Sequence, residues 1–331
     1  MSKSYDVFGL GNALVDILAL VGDDFIQSQK LAKGSMTLVD PAQQGAILND
    51  LEGQDLKLRS GGSAANTMIA IAQSGGNGFY TGKVAKDSHG EFYRQDLIEA
   101  GIDFDVNPSK NEGPTGTSLI LTTPDAERTM CTNLGVSTDL ELEDIELDRL
   151  GNSKFAYIEG YLWDGDQPRA ASMHTMEKAK SSNVPVAFTF SDMFLVDRFG
   201  DDFKRISEEF CDIIFCNADE IRHFFDLKDL NECATELGKL VKTGFITDGK
   251  NGCHVIHDGE SKHVEGFEAK AVDTVGAGDA FAGGVLYGLS HDLDYADAAR
   301  WGNYVASRVV AVYGARLDES LVDQVDKVLG R

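Results

Sequence analysis

Basic residues are scarce in this chain: 30 Lys and Arg stand against 54 Asp and Glu among 331 residues, a formal charge of −24. That shortage excludes a bare electrostatic grip on a polyanion, because binding to a phosphate backbone depends on clustered Lys and Arg that release counterions. Neither nucleic acid nor an anionic membrane is an expected partner. A nucleotide remains admissible if backbone N–H groups and a metal supply positive potential locally. Cysteines are few, at Cys131, Cys211, Cys216, Cys233 and Cys253, an odd number with no Cys-x-x-Cys pair. This is no disulfide framework, and reduced, buried thiols are expected. Long apolar runs are missing too: nowhere do about 18 apolar residues follow one another, as a membrane span would need. The opening stretch is punctuated by Gly11, Asn12 and Asp16, unlike a signal-peptide core, and a cytoplasmic protein is expected. No Pro-rich or polar block is long enough to form a disordered linker.

What is present is a regular alternation. Hydrophobic residues make up 42% of the chain, enough for a sizeable core. Short apolar runs at Tyr5 to Leu10, Phe79 to Gly82, Phe155 to Glu159, Val184 to Phe190, Ile213 to Cys216 and Gly244 to Thr247 read as buried strands. Between several of them, Ala64 to Gln73, Gly90 to Ala100, Gln167 to Ser181 and Leu230 to Val241 carry helical spacing. The alternation predicts an α/β protein with a Rossmann-like, mostly parallel central sheet covered by helices on both faces. Two segments break the rhythm, roughly 15–45 and 103–132, the second with the Thr-rich run SLILTTPDAERTMCTN. We expect them to pair into a small β-sheet lid over the ligand cleft of one domain spanning 1–331.

Three motifs mislead. Gly9-Leu-Gly11 follows a strand as a dinucleotide fingerprint does, but Leu14 stands at the third glycine position. Gly244 to Asn251 approaches a P-loop, yet Phe245, Ile246 and Thr247 read as the strand itself, and Asn251 stands where a Ser or Thr belongs. His254, His257 and His263 invite a metal reading, but residues alternating on a hairpin bounded by Asp258-Gly259 converge poorly on one ion.

The informative stretch runs Asp273-Thr-Val-Gly276-Ala277-Gly278-Asp279-Ala-Phe-Ala-Gly283-Gly284. Three small residues precede an acidic one at a helix start, so the N–H groups of Gly276, Ala277 and Gly278 can crowd onto an anion without side-chain obstruction. Asp279, in the first turn, is favoured as an anion by the helix dipole and is placed to accept a hydroxyl proton. A β-branched residue at Gly278 is expected both to block the anion and to resist unusual backbone angles.

This string resembles the C-terminal signature of the ribokinase/PfkB family of carbohydrate and nucleoside kinases. The N-terminal counterpart is similar as well: in Ser60-Gly61-Gly62-Ser63-Ala-Ala-Asn66, the resemblance implies that Gly61, Gly62 and Ser63 admit the acceptor and that Asn66 bonds its hydroxyls. Asn12 to Ile17 looks like the family's first-strand motif, whose Asp, here Asp16, holds two sugar hydroxyls. A carboxylate suits a vicinal diol because it accepts two hydrogen bonds. Asn217-Ala-Asp-Glu220 resembles the motif that organises Mg²⁺ and phosphate, Glu220 acting through water. Thr247, Gly249 and Gly252 match the nucleotide-side strand and turn, and Asn303 falls where the family faces adenine. Arg128 resembles an arginine of nucleoside-kinase relatives that approaches the transferring phosphate, and Glu159, at a strand's carboxyl end, is a further candidate for contact with substrate. Asp273, Val275 and the Gly314 region match the segment that binds a monovalent cation in some relatives.

The resemblance implies transfer of the γ-phosphoryl group of MgATP to a primary hydroxyl, with Asp279 as base and K⁺ as a possible further ion. Gly11-Asn12 looks more like the opening of adenosine kinases than of sugar kinases, which favours a nucleoside, adenosine first, over ribose or fructose. A dehydrogenase would need the dinucleotide fingerprint, and a non-catalytic nucleotide sensor would not need Asp279. Both a monomer and a homodimer are compatible with the resemblance.

Overall fold

The computed structural model describes residues 3–125 and 127–331; Ala126, within the second expected lid segment, lies outside the described residues. Among these a nine-stranded sheet runs in the order Glu260–Val264, Cys253–His257, Thr243–Thr247, Ile213–Asn217, Val186–Thr189, Ser153–Glu159, Tyr5–Leu10, Gly78–Thr81, Ile102–Asp103. Neighbours are parallel except at the first edge, where the His-bearing hairpin runs antiparallel. Tyr5–Leu10 and Gly78–Thr81 are buried at every position, which is why they read as continuous apolar runs without alternation. Helices such as Ser63–Gln73, Asp166–Ser181, Leu230–Leu240 and Ala277–Ser290 cover the sheet. The α/β class with a mostly parallel sheet is thus as expected.

A second, five-stranded sheet has the order Met36–Leu38, Arg128–Asn133, Gly116–Thr122, Leu14–Leu20, Lys57–Gly61. Its strand Lys57–Gly61 lies beyond the two segments singled out from the sequence, and Ile102–Asp103 belongs to the main sheet instead. Leu14–Leu20 alternates: Val15, Ile17 and Ala19 are buried, and Ile17 and Ala19 join Leu119, Leu121, Cys131, Ile26, Ile47 and Leu51 in a core of the small sheet's own. The opposite face presents Leu14, Asp16, Ser118, Ile120, Met130, Thr132, Met36 and Leu38 to a cleft. Because only Gly11 to Ala13 separate Tyr5–Leu10 from Leu14–Leu20, this face lies beside the carboxyl ends of the parallel strands, where open α/β sheets bind ligands.

The misleading motifs resolve locally. A strand, not a helix, follows Gly9-Leu-Gly11, and Gly249–Asn251 is one tight turn leading into an antiparallel strand. His254 and His263 are cross-strand partners on the hairpin, whereas His257 stacks on Tyr295. No helix among the described residues is long and apolar enough to cross a membrane.

Candidate active site

The helix Ala277–Ser290 owes its position to small residues. A side chain at Gly283 would meet the Thr67 carbonyl at 2.5 Å, and one at Gly284 would meet Gly302 at 2.7 Å, so the helix packs closely between Ser63–Gln73 and Tyr295–Val309. That contact sets Asp279 opposite the start of the Ser63–Gln73 helix. Ser63 Oγ donates to Asp279 Oδ1 at 2.7 Å, and Asn66 Nδ2 donates to Oδ2 at 3.3 Å. Burial pushes the Asp279 carboxyl up to about 6, against the pull of these two hydrogen bonds.

Gly276 caps this helix in the left-handed region (φ 76°), with Ala315 packed so closely that a Cβ would lie 2.6 Å away. Gly278 differs. Its φ is not positive and a side chain there would meet nothing within 4 Å, which corrects the expectation of unusual backbone angles at this position. The N–H groups of Gly276 and Gly278 have no backbone acceptor among the described residues, whereas Ala277 N–H donates to the Thr274 carbonyl at 3.3 Å. The anion-binding potential of the turn therefore rests more on the two glycines than on Ala277.

Across the cleft of about 350 Å³, Asp16 projects from the small sheet. Burial pushes it up to about 7, opposed by the positive charges of Arg128, Arg316 and Arg59. Gly61 lies directly against it, since a Cβ at Gly61 would fall 2.3 Å from Asp16 Oδ2, and Gly62 (φ 98°) abuts the Asn12 carbonyl. Asn12 and Glu159 form the floor as a pair. Glu159 is 0% exposed; its Oε1 accepts from the N–H and Nδ2 of Asn12, and its Oε2 from the N–H of Ala64. Its carboxylate is thereby engaged in holding the start of the Ser63–Gln73 helix, and burial pushes it up to about 7.

Asn217 and Glu220 make a capping box at the end of Ile213–Asn217: Glu220 accepts from Asn217 N–H and Nδ2 at 2.9 and 2.7 Å, and burial pushes it up to about 7. A second cleft, of about 460 Å³, is lined by Thr247, Gly249, Gly252 and Asn303, with Phe267, Ala306 and Val310 as apolar wall. Asn303 Nδ2 donates to the carbonyls of Val264 and Glu265. The two clefts share Thr247, Gly278 and Phe281, so they meet beside Asp279. Arg128 points into neither; its guanidinium pairs with Asp273, while its Nε and Nη1 are buried with no partner among the described residues.

A model of the pfkB family carbohydrate kinases matches residues 35–321. The chain belongs to this family. It is 33% identical to an adenosine kinase from Sinorhizobium meliloti, with a TM-score of 0.91 over 98% of this chain and 99% of that one. A probable sugar kinase from Rhizobium etli CFN 42 gives 32% identity and a TM-score of 0.91, with 99% of both chains covered. Adenosine kinase 2 of Arabidopsis thaliana is 25% identical over 345 residues, which cover 96% of this chain and 98% of the relative. The kinase is a phosphotransferase with an alcohol acceptor, of the nucleoside or sugar kind, and ATP binding follows from the family.

Sequence reasoning missed two parts of this site. One is the strand Lys57–Gly61, in which Lys57 and Arg59 interrupt any apolar run and Leu58 is exposed. The other is Arg316, which donates to Ser60 Oγ and to Asp96 and so braces the strand behind Gly61. It has no motif of its own.

Proposed function

We propose that this kinase transfers the γ-phosphoryl group of MgATP to the primary hydroxyl of a nucleoside, adenosine foremost. The observation that carries this reading is the cleft face of the small sheet, where the Asp16 carboxylate shares one surface with Leu14, Met36, Leu38, Ile120 and Met130. A diol needs the carboxylate, and a flat, weakly polar base gains from the adjacent apolar platform. A free sugar gains nothing from it. Ribose or fructose is the second reading, favoured by the family's carbohydrate kinases and by the likeness to a probable sugar kinase.

In this reading the acceptor lies in the cleft of Asp16, Asn12, Gly61, Gly62, Ser63 and Asn66. ATP extends from the second cleft, past Thr247, Gly249, Gly252 and Asn303, toward Gly278. The acceptor hydroxyl reaches phosphorus where the clefts join, and Asp279 takes its proton. The transition state places charge on the equatorial phosphoryl oxygens, and the N–H groups of Gly276 and Gly278 at the helix start stabilise it. The small sheet acts as a lid that excludes water. Bound Mg²⁺ supplies neutralisation of phosphate charge; among the described residues no three His, Cys, Asp or Glu side chains gather around one point, and Glu220, already bonded to Asn217, fits contact through water. A screen of ADP release over nucleosides and free sugars tests the reading: adenosine should give the highest kcat/KM, and a preference for ribose or fructose would overturn the substrate assignment.

A further inference from the structure

Asp273 opens the loop that carries Gly276 and Gly278, and it is 2% exposed. Its Oδ1 accepts from Val275 N–H at 3.1 Å and its Oδ2 from Gly314 N–H at 2.8 Å. A carboxylate this deeply buried requires a compensating positive charge. The segment's resemblance to monovalent-cation sites would assign that charge to K⁺ held at Asp273, Val275 and Gly314. The residues present do not fit such an ion. The guanidinium of Arg128 closes on the same Oδ2, and two cations against one buried carboxylate oxygen would repel each other in a medium that screens poorly.

Arg128 does not belong to the loop. It is the first residue of Arg128–Asn133 in the small sheet, paired opposite Thr122, and it is 6% exposed. The pair thus joins the small sheet to the glycine turn. We infer that Arg128 is the built-in counter-cation of Asp273, standing where an ion would otherwise be needed and fixing the glycine turn from the small sheet. Its route to the turn is structural: Asp273 holds the N–H groups of Val275 and Gly314, and Ala315, next to Gly314, packs on Gly276. Arg128 is in this respect a positioning residue, acting on the phosphate site through Asp273. It also lies within the electrostatic reach of Asp16, so acceptor KM and kcat must be followed separately.

The inference rests on the kinase reading for one of its two readouts only. Turnover, and thermal melting of the protein without substrates, are compared in potassium chloride and in tetramethylammonium chloride at one ionic strength of about 0.1 M, the organic ion being too large for a buried site. For the wild type, turnover should agree within about twofold and Tm should be equal in the two salts, because no site awaits an ion. Arg128→Met should lose kcat by about tenfold or more in tetramethylammonium, recover several-fold in potassium, and melt higher in potassium. Arg128→Lys, which keeps the charge, should be indifferent to the salt. If Arg128→Met does not fold, adding Asp273→Asn should restore folding, since the unpaired buried charge is then removed. A wild type stimulated and stabilised by potassium, an Arg128→Met protein that ignores it in both readouts, or a double variant still unfolded would overturn the inference. Absence of phosphorylation with every acceptor would sink the kinase reading and leave melting to decide this one.

Discussion

Ser63 and Asp279, 216 positions apart in the chain, meet across two packed helices, the Ser63 hydroxyl donating to Asp279 Oδ1 at 2.7 Å. The bond favours the ionised carboxylate and so opposes the effect of burial, which pushes Asp279 up to about 6. Ser63→Ala removes that support. The acid limb of the kcat/KM profile should move to higher pH by about one unit, with little loss on the alkaline plateau. A pH–rate series on the two proteins checks this, and an unmoved limb would separate Ser63 from the titrating group.

The two glycines of the turn should respond differently. Gly276 is held at φ 76° against Ala315, and forcing a side chain into that conformation costs about 1–3 kcal/mol, so Gly276→Ala should lower Tm by several degrees. Gly278 faces open space. Gly278→Val should melt near the wild type yet lose about 10²-fold or more in turnover, as expected when a stabilising donor of the transition state is obstructed. Normal turnover in the folded Val variant would remove the turn from the mechanism.

Asp16→Ala should raise the acceptor's KM by about 10²-fold while ATP affinity stays nearly intact, the size expected for loss of charge-assisted hydrogen bonds. Gly61→Ala should mimic it, because the added methyl would lie 2.3 Å from the Asp16 carboxylate and displace it. A deoxy analogue lacking one diol hydroxyl should lose little more in the Asp16→Ala background, since its partner is already gone. Full acceptor affinity in Asp16→Ala would make this residue purely structural.

Stability offers an independent view of Asp279. Its folded pKa lies above the ordinary value of 3.8, so its stabilising contribution is present below that value and is lost as pH rises through about 6. Asp279→Asn has no such loss. The Tm of the Asn variant minus that of the wild type should therefore grow between about pH 4 and pH 7 and then level, as melting curves at intervals across that range would reveal. A constant difference would contradict the burial of a titrating carboxylate at this position.

The sheet was legible because strands buried on both faces leave continuous apolar runs, and the glycine turn beside Asp279 because its string of small residues before an acid is long and specific. What escaped has physical causes. Lys57–Gly61 is an edge strand in which Lys57 and Arg59 alternate with Leu58 and Ser60, so its apolar signal is weak, and Ser60-Gly61-Gly62 reads as the approach to the helix that follows. The engagement of Glu159 with Asn12 and Ala64 follows from tertiary packing, and no spacing in the chain announces it. The sequence offered Asp273 only as a candidate cation ligand, because its partner Arg128 comes from another sheet, 145 positions earlier, and only the fold brings the two together.

In the proposed reaction Asp279 accepts the hydroxyl proton as the bond to phosphorus forms. The most direct measurement is single-turnover phosphorylation by folded Asp279→Asn beside the wild type, with calorimetric ATP affinity as control. Asn keeps the size and the contacts with Ser63 and Asn66 within reach, but it cannot take a proton. General-base assistance contributes about 10²- to 10⁴-fold, and the account predicts a rate loss in that range or greater with both substrates still bound. A loss below tenfold with intact binding would contradict it and place the base elsewhere, with Asp16 the next carboxylate to test.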